Sequence, residues 1–337
     1  MNISIFAAIG SQNLWDELIV KNEIKALREQ YGKYTNFTIY SYDVSNPFII
    51  DPYVKYVEYF PIWIKNPKNI FRNLKNFLTF LINTTLADLI VIWWGGIFFD
   101  NEGSSVSSPL NQWLFRTQLF KLLQKRVLFY GVWIHVTQEK NIEIIKKIFS
   151  YTKAEVTVRD NASHAILSKI GIDSKIILDP VFNDNNSKNS VLDESFLIKQ
   201  INPQTFKITD LPSYDYSNKT VGIAFRKGYF ENDILAISEI IEYLKNLWAN
   251  IILIPNSVHP LDKESDDLYF LNNFAKQHNI EISENITKSY DIYKKREIDI
   301  CFAMRLHGII LAQVYKIPYM AFSYSKKTDE IIKIIKN

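Results

Sequence analysis

Glu297–Tyr324, EIDICFAMRLHGIILAQVYKIPYMAFSY, reads as strand, charged turn, helix, strand. Asp299–Ala303, apolar after its first residue, suits a buried parallel strand, and Gly308–Val314 and Tyr319–Ser323 follow as helix and strand. The turn between the first two carries Arg305 and His307, so a permanent cation and a titratable imidazole sit where a strand runs into a helix. The first N–H groups of a helix lack internal partners and favour an anion. An arginine there can hold a carboxylate or phosphate through two parallel hydrogen bonds, and a histidine can give or take a proton near neutral pH. From spacing alone, an Arg–carboxylate pair beside a structural histidine fits equally well.

Working backward, the same alternation fills the second half of the chain. Thr220–Phe225, Asn250–Ile254 and Glu281–Ser283 read as strands, and Asp233–Leu247, Asp267–His278 and Tyr290–Lys295 as helices. The first half repeats it with strands at Ile3–Ala8, Phe37–Tyr42, Leu89–Trp94, Arg126–Val132, Val156–Arg159 and Lys175–Leu178 and helices at Asp16–Tyr31 and Asn161–Ile170. Between them Asn183–Ser217, opening NDNNSKNS and containing Pro203 and Pro212, reads as a connection. The predicted class is therefore α/β, with two doubly wound Rossmann-like domains facing a cleft, the GT-B-like glycosyltransferase architecture. The domains are expected at 1–182 and 218–337, joined by 183–217, with ligands at carboxyl ends of strands.

Composition narrows the classes of function. The 337 residues suit two domains, and a net charge of +3 gives no electrostatic footprint for nucleic acid. A single cysteine, Cys301, precludes an intramolecular disulfide. MNISIFAAIG reads as a first strand, not a signal peptide, and the apolar region Phe77–Phe99 is too interrupted to span a bilayer, which points to the cytoplasm. Pro61–Leu81 mixes aromatics with Lys65, Lys68, Arg72 and Lys75, an amphipathic basic stretch that suits either a half-exposed helix or peripheral contact with an anionic membrane. His259, Asp262, Glu264, Asp266 and Asp267 form an acidic cluster without ordered metal-ligand spacing, read as a solvated loop and helix cap; no metal or cofactor is expected.

The stretch MRLHGIILAQVYKIPYMAFSYSKK resembles the C-terminal signature of the polysaccharide pyruvyl transferases, in Arg305, His307, Ala312, Pro318, Tyr324 and Lys326 or Lys327. Further segments resemble the family in order. GSQNLWDE, Gly10–Glu17, is similar to its first loop, with Trp15 where the family commonly has Gly, a ring expected to reshape the acceptor side. DLIVIWWGGIFFD, Asp88–Asp100, followed by Ser104, Ser105, Ser107 and Ser108, resembles its strand, Gly-rich turn and hydroxyl-rich loop. VTVRD with Ser163, Gly171 and Asp179-Pro180 resembles a further block, in which Arg159 and Asp160 read as a structural pair.

The resemblance implies that phosphoenolpyruvate is the donor and that its enolpyruvyl carbons become a ketal on two hydroxyls of one sugar, in a glycan or a lipid-linked oligosaccharide. Arg226, Arg305, Lys326 and Lys327 are then expected to bind the donor, with Lys227 as a neighbour. His307 is expected as general acid or phosphate stabiliser beside Arg305. Asn13, Asp16, Gly95, Gly96, Asp100 and His135 are expected on the acceptor side, Asp16 and Asp100 orienting or deprotonating hydroxyls. Two rivals share the architecture: a nucleotide-sugar glycosyltransferase and a catalytically silent glycan-binding protein. Glu231 and Glu239 have the eight-residue spacing of some retaining glycosyltransferases but follow the domain's first strand, which reads as chance.

Overall fold

The computed structural model describes residues 1–10, 12–59, 69–93, 98–100, 109–150, 154–177, 179–184, 193–258, 263–264 and 266–336. It divides into two compact units, Met1–Gly10 with Ile19–Asp179, and Ser11–Leu18 with Pro180–Asn337. The start of the first helix is therefore counted with the second unit.

In chain order the first unit contains β1 (Asn2–Ile9), α1 (Leu14–Tyr31), β2 (Asn36–Ser41), β3 (Val54–Glu58), α2 (Asn69–Leu86), β4 (Leu89–Trp93), β5 (Phe98–Phe99) and α3 (Pro109–Leu122). It continues with β6 (Arg126–Val132), β7 (Ile134–His135), α4 (Glu139–Phe149), β8 (Ala154–Val158), α5 (Asn161–Lys169) and β9 (Lys175–Ile176). Seven strands form one parallel sheet in the order β3-β2-β1-β4-β6-β8-β9, reversing direction of growth at β1 and β4 as a doubly wound sheet does. β4 is buried along its whole length, which is why Leu89–Trp93 is an unbroken apolar run. Phe6, Tyr40, Phe80, Phe120 and Phe129 fill the core beside it.

The second unit contains β10 (Leu197–Ile201), β11 (Thr220–Ala224), α6 (Asp233–Asn246), β12 (Asn250–Leu253), α7 (Asp267–His278), β13 (Glu281–Ile282), α8 (Ile286–Lys295), β14 (Ile300–Ala303), α9 (Leu306–Val314), β15 (Tyr319–Phe322) and α10 (Lys326–Lys336). Its six strands are parallel in the order β10-β15-β14-β11-β12-β13. β10 corrects the reading of 183–217 as a connection. Residues 197–201 are an edge strand paired with β15, and Ser323 N–H donates to the Ile201 carbonyl at 2.9 Å. The polar, proline-containing flanks obscured a strand of only five residues. Asp160, Asn232, Asp266 and Asn285 each cap a helix by accepting from an N–H three residues on, so these turns follow local capping chemistry.

Candidate functional site

Strand register assembles the candidate site in the second unit. β11 and β14 are adjacent, with Ala224 opposite Ala303, and the Ala224 carbonyl accepts from Met304 N–H at 3.1 Å and from Arg305 N–H at 3.4 Å. Arg226 and Arg305 each stand two residues beyond that matched pair, so both emerge at the carboxyl edge of neighbouring strands. α9 begins one residue after Arg305, with His307 in its first turn. Gly308 lets that turn lie against the strands: a Cβ there would sit 3.1 Å from the Tyr293 hydroxyl, 3.2 Å from the Ala303 Cβ and 3.3 Å from the Ala224 Cβ.

Arg305 has a fixed partner that the sequence reading left unassigned. Its Nε donates to Asp267 Oδ2 at 2.9 Å and to Oδ1 at 3.2 Å, and its Nη2 to Oδ1 at 2.5 Å. Asp267 Oδ2 also accepts from the N–H groups of Asn256 and Ser257, at 3.2 and 3.1 Å. Arg305 is 8% exposed and Asp267 2%. Burial pushes the Asp267 carboxyl up, against the pull of the Arg305 guanidinium. The guanidinium edge expected to clamp a donor is thus committed to a carboxylate. Asp267, read as part of a solvated acidic loop, is the residue that holds the turn, whereas its neighbour Asp266 is the cap of α7. The signal available in sequence was the need of a buried arginine at a sheet edge for a counter-ion; it did not say which acid answers it. Of the rest of that cluster, 259–262 and Ser265 lie outside the described residues.

The loop before α1 docks on the same segment. Leu14 N–H donates to the Asn256 carbonyl at 3.1 Å, Val258 N–H to the Gln12 carbonyl at 2.9 Å, and Asn13 bridges to Ser257. Asn13 Oδ1 accepts from Trp15 N–H at 3.1 Å and so caps α1, an occupation that the expected acceptor role did not include. Asp16 lies in the first turn of α1, next to the buried Glu17, and not in an open loop. Trp15, 2% exposed, stacks on the His307 ring with centroids 5.0 Å apart and planes at 19°. The ring expected to reshape the acceptor side therefore forms a wall for the candidate acid.

Arg226 is half-buried in a tyrosine cradle. Its guanidinium carbon lies 4.9 Å from the Tyr229 ring centre and 5.7 Å from that of Tyr324, and Nη1 reaches the Tyr324 hydroxyl at 3.5 Å. The two tyrosine rings are themselves 3.9 Å apart. Burial lowers the basicity of Arg226, and Tyr324, with Tyr229 and Asp267, more than restores it. Lys227 turns away to Glu264, at 2.8 Å. It lines a cavity of about 470 Å³ between the start of α6 and α7, with Asn232, Tyr269, Asn273 and Phe274; Arg305 and His307 are not among its walls. Lys326 and Lys327 open α10, and their side chains lie outside the described residues.

In the first unit the expected acceptor residues fare differently. Asp100 accepts from Thr137 N–H and Oγ1, Gln138 N–H and Asn141 Nδ2, at 2.7, 2.6, 3.2 and 2.7 Å. Burial raises its pKa, but these four bonds outweigh that and hold it at about 2. These bonds tie the Asp100 carboxylate to the start of α4. His135 is exposed and stacks on Trp133, with centroids 5.5 Å apart, and Arg159 lies 5.3 Å over the same indole. Arg159 also stands 3.7 Å from Asp160, the structural pair expected of them. Gly95, Gly96 and the serines at 104–108 lie outside the described residues.

A sequence model of the polysaccharide pyruvyl transferases matches residues 16–326. Among proteins with curated functions, none matches the sequence. Solved structures that share the fold include two enzymes. One is a UDP-GlcNAc 2-epimerase from Methanocaldococcus jannaschii, with 13% identity and TM-score 0.52, covering 99% of this chain and 87% of that one. The other is an alpha-glucosyltransferase in complex with UDP and a 13-mer DNA, with 8% identity and TM-score 0.50, covering 100% and 91%. At such identities the likeness establishes two Rossmann-like domains of the GT-B kind and nothing about substrate.

Proposed function

The chain belongs to the polysaccharide pyruvyl transferase family, and from that premise we propose that it moves the enolpyruvyl group of phosphoenolpyruvate onto a sugar of a polysaccharide or its lipid-linked precursor. Two sugar hydroxyls add to C2 of the enolpyruvyl group. One hydroxyl proton ends on C3, turning the methylene into a methyl group. The C2–O bond to phosphate breaks, and the second proton leaves with the phosphate. A donor with a phosphate and a carboxylate needs cations that stay charged, and an acid to protonate C3 or the leaving group.

The observation that supports this reading is that Arg226 and the His307 turn follow the adjacent strands β11 and β14, whose ends are joined through the Ala224 carbonyl. Arg226 is assigned the donor's anionic groups. Tyr229 and Tyr324 hold its plane while leaving it half-exposed. His307 is assigned proton transfer, oriented by the Trp15 stack and by the first turn of α9. Arg305 acts chiefly through Asp267, as the residue that fixes the turn and keeps its charge balanced.

The test is incubation with phosphoenolpyruvate and lipid-linked or nucleotide-linked sugars, following phosphate release and product mass. Wild-type protein is expected to release phosphate and add a pyruvate ketal. Arg226→Gln is expected to raise KM for phosphoenolpyruvate, and His307→Ala to lower kcat by about 10²–10⁴-fold. Release of a nucleoside diphosphate from a nucleotide sugar, with none of phosphate from phosphoenolpyruvate, refutes the proposal.

A further inference from the structure

α2 carries more of its large apolar side chains outward than inward. Its inward face mixes Phe77 and Phe80, which pack on the core, with buried Asn73, Asn76 and Thr84, and Asn76 Nδ2 donates to Glu58 at 2.8 Å. Its outward face carries Ile70, Phe71, Leu74, Leu78, Ile82 and Leu86, from 52% to 82% exposed. An ordinary surface helix has the opposite arrangement, because burying the apolar stripe is what holds it on the core. A run of large exposed apolar side chains along an 18-residue helix, about 27 Å, marks a surface that has a partner elsewhere.

We propose that this face of α2 seats the protein on an anionic lipid bilayer surface. Two observations favour lipid over a second copy of the chain. First, five of the apolar residues recur every fourth position, so the stripe drifts by about 40° per step and, with Phe71, spreads over about 160° of the helix. A helix–helix seam is a narrow heptad stripe; a fluid surface accommodates a broad arc. Second, the helix contains Arg72 and Lys75 and no acidic residue. Lys75 is exposed, and Arg72 pairs with Glu58 while staying more than half exposed. Lys125 adds a third cation at the far end, donating to the Thr85 and Ala87 carbonyls at 2.6 and 3.0 Å, with exposed Leu122 close by in sequence. Cations around an apolar face match anionic headgroups. No helix among the described residues is long and apolar enough to cross a membrane, so the contact is with the interface.

The experiment is co-sedimentation of the full chain with vesicles of phosphatidylcholine, with and without phosphatidylglycerol. Wild-type protein is expected to pellet with the mixed vesicles. Leu74→Gln/Leu78→Gln/Ile82→Gln is expected to lose that binding by more than tenfold with an unchanged circular dichroism spectrum, since all three side chains are already exposed. Lys75→Glu is expected to weaken binding to mixed vesicles by roughly fivefold or more and to leave binding to neutral ones unchanged. Wild-type protein that stays in solution with both vesicles overturns the proposal. So does a triple variant that pellets like wild type, or light scattering in which wild type is a dimer and the triple variant a monomer of equal vesicle affinity. No catalytic readout enters, so the outcome is separate from that of the transfer assay.

Discussion

Replacing Asp267 by Asn removes one charge and one acceptor from the centre of the candidate site. Asp267 accepts from Arg305 through two nitrogens and from the N–H groups of Asn256 and Ser257. An amide keeps one acceptor oxygen and turns an NH₂ toward the other donors, so either Arg305 or the two backbone N–H groups lose their partner. Breaking a buried pair by removing one member costs about 3–5 kcal/mol, because the survivor is left charged and desolvated. Against the 5–15 kcal/mol of an ordinary domain, roughly, this is a large share. With a urea slope near 2 kcal/mol/M, the midpoint falls by roughly 2 M. The assay is urea denaturation followed by circular dichroism for Asp267→Asn, Arg305→Met and the double variant Asp267→Leu/Arg305→Met. The double variant is expected to be more stable than the sum of single losses predicts, by about 2 kcal/mol or more. Single losses below about 1 kcal/mol, or strict additivity, would refute the claim that this pair organises the turn.

Trp15→Leu is expected to lower kcat of the transferase reaction by up to about 10²-fold with a smaller change in KM, by loosening the imidazole it stacks on; Trp15→Phe restores most of it, which a merely space-filling role would not require. Gly308→Ala pushes a methyl group against two strand alanines that cannot yield, so despite a helix-propensity gain of up to about 1 kcal/mol it is expected to destabilise by about 1–2 kcal/mol, read by thermal melting. Asp100 has a folded pKa of about 2 against an ordinary 3.8. Its contribution is present above pH ~4 and lost as pH falls toward 2. Asp100→Asn is therefore expected to cost about 1 kcal/mol at neutral pH, allowing for solvent screening, and only a small part of that near pH 2, where the native carboxyl is half protonated, measured by denaturation at both pH values.

Much of the architecture was legible because it is local. Apolar runs such as Leu89–Trp93 and Ile300–Ala303 are buried parallel strands that announce themselves without partners. Capping residues such as Asp160 and Asn232 act within one turn. β10 escaped because five residues of mixed burial carry little periodic signal, and the pairing that makes them a strand lies in β15, over a hundred residues away. α2 was visible as an amphipathic stretch, but periodicity gives the existence of an apolar face and not the direction in which it points.

The Arg305–His307 turn divides in the same way. Sequence by itself determined that an arginine and a histidine stand where a parallel strand enters a helix, and its motifs carried the family from Asp16 to Lys326. Tertiary structure alone decided what those residues are bonded to. Asp267, thirty-eight positions away, takes the guanidinium edge offered to a ligand, and Trp15, from the other end of the chain, covers the imidazole. The physical reason is that element formation follows from hydrogen bonds and side-chain periods within a few residues, whereas charge compensation in a desolvated site depends on whichever groups the packed backbone brings within about 3 Å.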